Sequence, residues 1–502
     1  MKIHVSSSIG NTISFLGTSI LMESTSLVSL RSKLCSCLQI LRLYDWLVNS
    51  YILQRSFSYF FKHFNLQDFY IDNHWNKLPE SWRLHLEQLH PEELATLLNY
   101  NKFSKQKHAV WPLSLLALRH LLLQLSIPRN QSTNSIDLSV SQRPVLSDRK
   151  LGHAFNKCVK PKKRHEIQLM ASICEYSCQI SPVDFVVDFG AGLGHLARLL
   201  GYGYGVRVSC IEMRSELNLQ ARCIDTKLES VLQKHLPSEN LPCFKRPKHV
   251  TLCITPDMQP HQFLHIIAES QHKTNTNFKF GIIGLHPCGD LAVILMRMFT
   301  NIPQARFLNF ASCCYMKLTT AETQSNIKLQ GYPLSQYLLK QQEFSFLSYE
   351  ALEISCHGME IYCDRLARGD YEYLKVHSFR AAAERIIINQ WPNLRHCGLR
   401  SVKHVPGMDF EDYFYKATQG VEASNLPRSD LQTTTTQNDL LHWQRIVIFY
   451  TLRLMFAPLI ESIILYDRAL YLQENECQVN IKAAFDPRIS PRNHITCSFK
   501  LK

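Results

Sequence analysis

In VVDFGAGLGHLARLL (186–200) one acidic side chain, Asp188, precedes Gly190, Gly192 and Gly194, three of only 18 glycines in 502 residues. Glycines between a strand and a helix permit a tight turn and let the backbone approach a ligand closely. The helix start adds exposed N–H donors. About twenty residues on, Glu212 ends the strand-like run VRVSCIE, where a carboxylate can accept both hydroxyls of a ribose. A dinucleotide fold asks for G-x-G-x-x-G, but here the third glycine comes early and His195 fills its place. Asp188 would also repel a pyrophosphate. It suits a ligand that carries an amine and a sulfonium cation, and S-adenosylmethionine (SAM) is such a ligand. The expected cofactor set is Asp188, Gly190, Ala191, Gly192, Gly194, Glu212 and Met213. Asp257, after the apolar HVTLCIT, is placed on the adenine side. The alternative is a glycine-rich strand–helix turn that binds nothing.

A second constellation follows in GLHPCGDLAVILMRMF (284–299) and ASCCYMKL (311–318). Methyl transfer requires a nucleophile held in line with the departing methyl group. His286 is a candidate to accept its proton, and Tyr315 a candidate to stack on a base. Cys314 completes the catalytic set; Cys288 and Asp290 stand on the same side. Core packing of the cysteines and a packed His286 are the competing readings. A zinc site from His286, Cys288, Cys313 and Cys314 is conceivable, but adjacent cysteines chelate poorly, so no metal is expected. Upstream, Lys157, Lys160, Lys162, Lys163 and Arg164 form a basic cluster ahead of Glu166. This cluster could bind phosphates, lead Glu166 toward the cofactor, serve as a nuclear localisation signal or simply be a solvated helix start.

These residues need a scaffold. Phe185–Phe189 reads as a strand buried on both faces, and Leu196, Leu199 and Leu200 as the start of a helix. Leu217, Ala221, Ile224, Leu228 and Val231 make an apolar helical stripe. Ile282–His286 and ARFLNFASCCY read as further strands, and Asp290 as a helix cap. The end, CQVNIKAAFDPRISPRNHITCSFK, reads as two strands around a proline-containing turn. The fold expected is α/β, a Rossmann-like sheet with a helical amino-terminal region and a helical insertion before the last helix and strands. Its segments are an extension (1–29), a helical region (30–125), a linker (126–150), the core (151–320), an insertion (321–444) and a final helix with hairpin (445–502). EASNLPRSDLQTTTTQNDL (422–440) reads as a second linker.

The chain has 55 Lys+Arg against 42 Asp+Glu, a net +13, which favours an anionic partner such as RNA. Nothing indicates DNA specificity. Seventeen cysteines without framework spacing read as reduced thiols of the cytoplasm or nucleus. The Ser-rich, acid-poor first 34 residues leave a mitochondrial transit peptide as the alternative. RIVIFYTLRLMFAPLIESIIL (445–465) is long and apolar, but the central Arg453 and Pro458 make it a buried helix in preference to a membrane segment.

The two constellations together resemble the methyltransferase-like protein 25 family, also named for a ribosomal RNA adenine dimethylase domain. KPKKRHEI, VVDFGAGLGHLARLL, GLHPCGDLAVILMRMF, SCCYMKL, GYPLSQYL, LMFAPLIESIILYDRALYLQE and FDPRISPRN carry the resemblance, in family order. It implies a SAM-dependent methyltransferase, with ribosomal or transfer RNA as substrate class. Adenine dimethylases carry an Asn/Asp-Pro-Pro-Tyr/Phe turn that holds the flipped base. This chain has His286-Pro287-Cys288-Gly289 there, which argues against adenine N6. The H-x-C-G-D turn and the Cys pair look like those of tRNA ribose 2′-O-methyltransferases. A catalytically silent binding module and a protein or small-molecule methyltransferase are the rival readings.

Overall fold

A computed structural model describes residues 26–49, 67–99, 110–130, 149–157, 159–235, 244–321, 323–326, 329–369, 371–400, 402 and 405–500. Residues 1–25 of the transit-like segment and 131–148 of the first linker lie outside the described residues. The chain divides into two compact units. One is drawn from the described residues within 1–35, 129–346 and 464–502, the other from those within 36–128 and 347–463.

The first unit holds a seven-stranded sheet of order β3-β2-β1-β4-β5-β7-β6. Its strands are β1 (Phe185–Phe189), β2 (Val208–Glu212), β3 (Lys248–Thr251), β4 (Phe280–Gly284), β5 (Ala305–Phe310), β6 (Cys477–Ala483) and β7 (His494–Lys500). The first five run parallel; β7 is antiparallel and lies between β5 and β6. This is the Rossmann-like sheet that the sequence implied. Every residue of β1, β2 and β4 is buried, which is why these strands read as nearly unbroken apolar runs. Strand order reverses between β1 and β4, the switch point beyond whose strand ends open α/β sheets form a ligand crevice.

The helices that frame the crevice are α1 (Pro161–Ile180), α2 (His195–Arg198), α3 (Ser215–His235), α4 (Pro260–Ser270), α5 (Asp290–Asn301) and α6 (Ala457–Glu474). Pro161 opens α1, where its missing N–H leaves no bond unmade. Met170 and Cys174 of α1 pack with Val186, Leu200, Ile283, Phe307 and Ile495 in one core.

Four details differ from the sequence reading. First, β4 ends at Gly284 and β5 at Phe310, so His286 and Cys313–Tyr315 lie in the turns beyond. The ladder closes with Ala311 N donating to Gly284 O at 3.1 Å, and Pro287 has no N–H to extend it. Second, α3 buries Asn218, Ala221, Asp225, Leu228 and Leu232, a face rotated by one residue from the expected stripe. Third, Asp290 makes no side-chain cap; its Oδ1 accepts from Thr319 N at 3.0 Å and ties α5 to the turn after β5. Fourth, 422–440 is no linker. It folds into short helices whose Ala423, Leu426 and Leu431 are buried, and Thr433 caps one of them by accepting from Thr436 N.

The second unit is helical, with a core that includes Ala382, Ile387, Phe410, Tyr413 and Phe414. Trp443–Glu474 is long and apolar enough to cross a membrane, and its most apolar window of 18 residues is buried. Arg453 is buried and its Nη2 donates to Val48 O at 2.9 Å.

Candidate active site

The three glycines bend the chain from β1 into α2 with φ of 68, 56 and 69°, a left-handed conformation that favours glycine. They do not serve alike. A Cβ on Gly192 would meet nothing within 4 Å, and one on Gly190 only Leu291 Cδ2 at 4.0 Å. Both leave open space over the turn. A Cβ on Gly194 would stand 2.9 Å from His249 Cε1, so this glycine lets α2 pack against β3. Across the turn, Glu212 Oε2 accepts from Gly192 N at 3.0 Å and Oε1 from Arg214 N at 3.1 Å. A carboxylate held this way keeps lone pairs for further donors. Met213, beside it, is 65% exposed and offers an apolar surface. Ala191 N donates to Ile211 O at 3.2 Å and fixes the turn to β2.

Asp188 is 2% exposed, and among the described residues no donor bonds its carboxylate. Burial pushes its pKa up to about 7; the charge of Lys163 opposes the rise and that of Glu212 adds to it. A buried carboxylate without a partner is costly unless a cation answers it. Asp257 is exposed and bonded to Thr255 beyond the end of β3; no described contact joins it to the glycine turn.

Beneath the turn lies a buried cluster that the sequence did not announce. Arg198 Nε donates to Asp225 Oδ1 at 2.7 Å, and His249 Nε2 meets Asp225 Oδ2 at 2.7 Å. Arg198 Nη2 also donates to Leu193 O at 2.9 Å, which ties the charge cluster to the glycine turn. Burial, and then Arg198 and Lys163, lower the pKa of His195 to about 4; as a neutral ring it accepts at Nδ1 from Arg198 Nη1 at 3.1 Å. The only sequence signal was indirect: Asn218 and Asp225 repeat at the spacing of Ala221 and Leu228, so polar residues share the buried face.

On the other side of the crevice, His286 Nε2 lies 3.0 Å from Glu166 Oε2, and Ser490 Oγ donates to Glu166 Oε1 at 2.6 Å. Burial alone would raise the pKa of Glu166, but the bonds from His286 and Ser490 and the charge of Lys162 hold it below the usual range. An ionised Glu166 makes His286 Nε2 the donor and leaves Nδ1 for another partner. Glu166 therefore orients His286 instead of pointing at the cofactor. Ser490, in FDPRISPRN, is a partner that sequence reasoning missed.

The basic patch divides. Arg164 is spent on backbone, with Nε to Val159 O at 2.7 Å and Nη2 to Asn156 O at 3.0 Å. Lys162 stands 3.7 Å from Glu166, while the charge of Lys163 reaches Asp188 and His195.

Tyr315 is 2% exposed, and the Arg468 guanidinium stands 5.6 Å from its ring centre. Its ring is packed in the interior, so it offers no open face to a base, contrary to its expected stacking role. Cys288, Cys313 and Cys314 converge: Cys288 Sγ lies 2.9 Å from Cys313 Sγ, which lies 3.5 Å from Cys314 Sγ. The bond with Cys313 lowers the Cys288 pKa, but the bond with Cys314 and burial outweigh it and push the thiol up to about 11.

The model of a methyltransferase domain family matches residues 162–321, from α1 through the turn after β5. The chain thus carries a methyltransferase domain of the class I, SAM-dependent type. It is 28% identical over 228 residues to the human protein named "Probable methyltransferase-like protein 25", which covers 44% of this chain and 36% of that protein. To the mouse protein of the same name it is 24% identical over 261 residues, 50% of this chain and 41% of the other. The chain therefore matches about two fifths of the length of these relatives. No solved structure matches the chain.

Proposed function

We propose that the chain binds SAM beyond the carboxyl ends of β1 and β2, beside the β1–β4 switch point, and transfers its methyl group to RNA. The observation that carries the cofactor reading is Asp188, buried and unbonded beside a turn whose glycines leave open space. The amine of a SAM amino-acid end answers that carboxylate. Glu212, already braced by two backbone N–H groups, accepts from ribose hydroxyls, and Met213 packs against the adenine. Bound SAM would supply an electrophilic methyl on a sulfonium; all other work falls to the chain. Glu166 holds the His286 ring, and Nδ1 takes the proton from a hydroxyl or amine acceptor. Net charge +13 and the lysines at the start of α1 support an anionic substrate. The absence of an amide or acid before Pro287, and of an aromatic after it, favours ribose over adenine N6 as acceptor.

Glu212→Ala tests the cofactor site. It removes charged hydrogen bonds of about 1.5–3 kcal/mol in total and is expected to weaken SAM binding about 10- to 100-fold by calorimetry. Unchanged affinity would move the cofactor elsewhere. Labelled methyl groups offered with fractionated cell extract test the substrate. The wild type is expected to label the RNA fraction, and His286→Ala to do so about 100- to 10,000-fold more slowly. Label in protein or metabolites alone overturns the RNA reading. SAM binding with no label in any fraction marks the chain as a silent binding module.

A further inference from the structure

We propose that Cys288, Cys313 and Cys314 bind one zinc ion at the ends of β4 and β5, through three thiolates and with a fourth position open toward the crevice. This inference stands independently of whether the acceptor is RNA.

The three sulfurs lie within 4.8 Å of one another, with Cys288–Cys313 at 2.9 Å and Cys313–Cys314 at 3.5 Å. Zinc–thiolate bonds of about 2.3 Å place two sulfurs on one tetrahedral ion about 3.8 Å apart, so small side-chain adjustments suffice. All three residues are only partly buried, so an ion can enter.

Adjacent cysteines ordinarily point apart, which argues against a shared ion. Here the backbone removes that objection. Tyr315 N donates to Cys313 O at 3.1 Å, and Cys314 has φ −91° and ψ 75°. This is an inverse γ-turn, and it folds the two neighbouring side chains toward one face.

The two turns that supply the thiols are locked together. Gly289 has φ 55°, and a Cβ there would stand 2.7 Å from Lys317 O, so the β4 turn lies directly on the β5 turn. Asp290 Oδ1 accepts from Thr319 N and closes the other end. A ligand set held by such support is preorganised.

Arg468 is an independent pointer. It is 1% exposed; Nη1 donates to Ser312 Oγ, whereas Nε and Nη2 have no hydrogen-bond partner among the described residues. Its charge acts on Tyr315, Asp467 and Asp290 and then on Cys313. A buried guanidinium with unspent donors can balance further negative charge, and three thiolates around a divalent ion leave one net negative charge. Three protein ligands with an open fourth position are also the mark of reactive, as opposed to purely structural, zinc sites. His286 does not join the cluster of ligand atoms; its Nε2 is engaged by Glu166.

The test is metal analysis of the full chain purified under reducing conditions. About one zinc per chain is expected, and replacement by cobalt(II) should give the intense thiolate-to-cobalt absorption of a sulfur-rich tetrahedral site. Cys288→Ser and Cys314→Ser should each weaken zinc binding by at least about 100-fold, with circular dichroism melts to establish that each variant folds. Should a variant fail to fold, the wild-type cobalt spectrum decides. Metal-free protein that takes up no added zinc overturns the proposal. So does cobalt bound without thiolate absorption, a Cys288–Cys313 disulfide in the purified protein, or full zinc content in folded Cys288→Ser.

Discussion

Replacing Asp188 by asparagine is expected to make the ligand-free protein more stable at pH 8 and to remove its hold on SAM. The carboxyl is buried without a bonded donor, and its pKa stands at about 7 against 3.8 for an ordinary aspartate. Below about pH 4 the group is protonated in both folded and unfolded chains, so it exacts no penalty. Between about pH 4 and 7 the unfolded chain releases the proton while the folded chain keeps it, and stability falls through that window. Above pH 7 the folded state carries the whole penalty, on the order of 4 kcal/mol. Asparagine carries no charge to desolvate, so the variant should lose less stability between pH 5 and 8 and melt above the wild type at pH 8. Cofactor affinity should follow the opposite sign. A cationic amine favours the ionised acid, so wild-type affinity should rise about tenfold per pH unit up to pH 7 and then level off. In Asp188→Asn it should be low and nearly flat. Melts at pH 5, 6.5 and 8, with and without SAM, read both effects. A variant that melts below the wild type at pH 8 and still binds SAM normally would remove Asp188 from the cofactor site.

The same residue shows what a sequence reveals and what it withholds. Asp188 before three glycines and Glu212 after the next strand were legible because strand, turn and strand are local patterns fixed by a handful of consecutive residues. The sheet was legible for the same reason: buried parallel strands read as apolar runs, and the last hairpin as two short runs around Pro487 and Pro491. What stayed hidden was pairing across distance. Glu166 looked like the end of a basic cluster, yet its partners are His286 and Ser490, far along the chain. Asp225 drew no notice on α3, because apolarity alone placed Leu217, Ile224 and Val231 on the buried face. Partners, not apolarity, decide that a carboxylate can be buried, and the partners of Asp225 come from α2 and β3. Tyr315 failed for a related reason. Its expected place at the tip of the strand suggested a platform for a base, but β5 ends at Phe310 and the ring is buried beside Arg468.

Asp225→Ala is accordingly expected to be the most destabilising single change in the methyltransferase unit. Arg198 and Asp225 are 3% and 0% exposed, and His249 shares the same carboxylate. Removing the carboxylate strands a guanidinium in the interior, for which about 3–5 kcal/mol is the usual cost. The damage should also spread. Arg198 Nη2 holds Leu193 O, between Gly192 and Gly194, so a displaced guanidinium loosens the turn that lines the cofactor crevice. Thermal melts should show the loss, and hydrogen exchange should show faster opening at 190–194 even where Asp225→Ala remains folded. Arg198→Met combined with Asp225→Leu separates charge from packing. If the cost is the stranded charge, the double variant should recover most of the stability, because apolar residues of similar volume can replace a buried pair. Its glycine turn should nevertheless stay loose, because methionine cannot donate to Leu193 O. If the double variant is no more stable than Asp225→Ala, the cluster serves by shape and not by charge. In that case the turn is braced by packing of Gly194 against His249 alone.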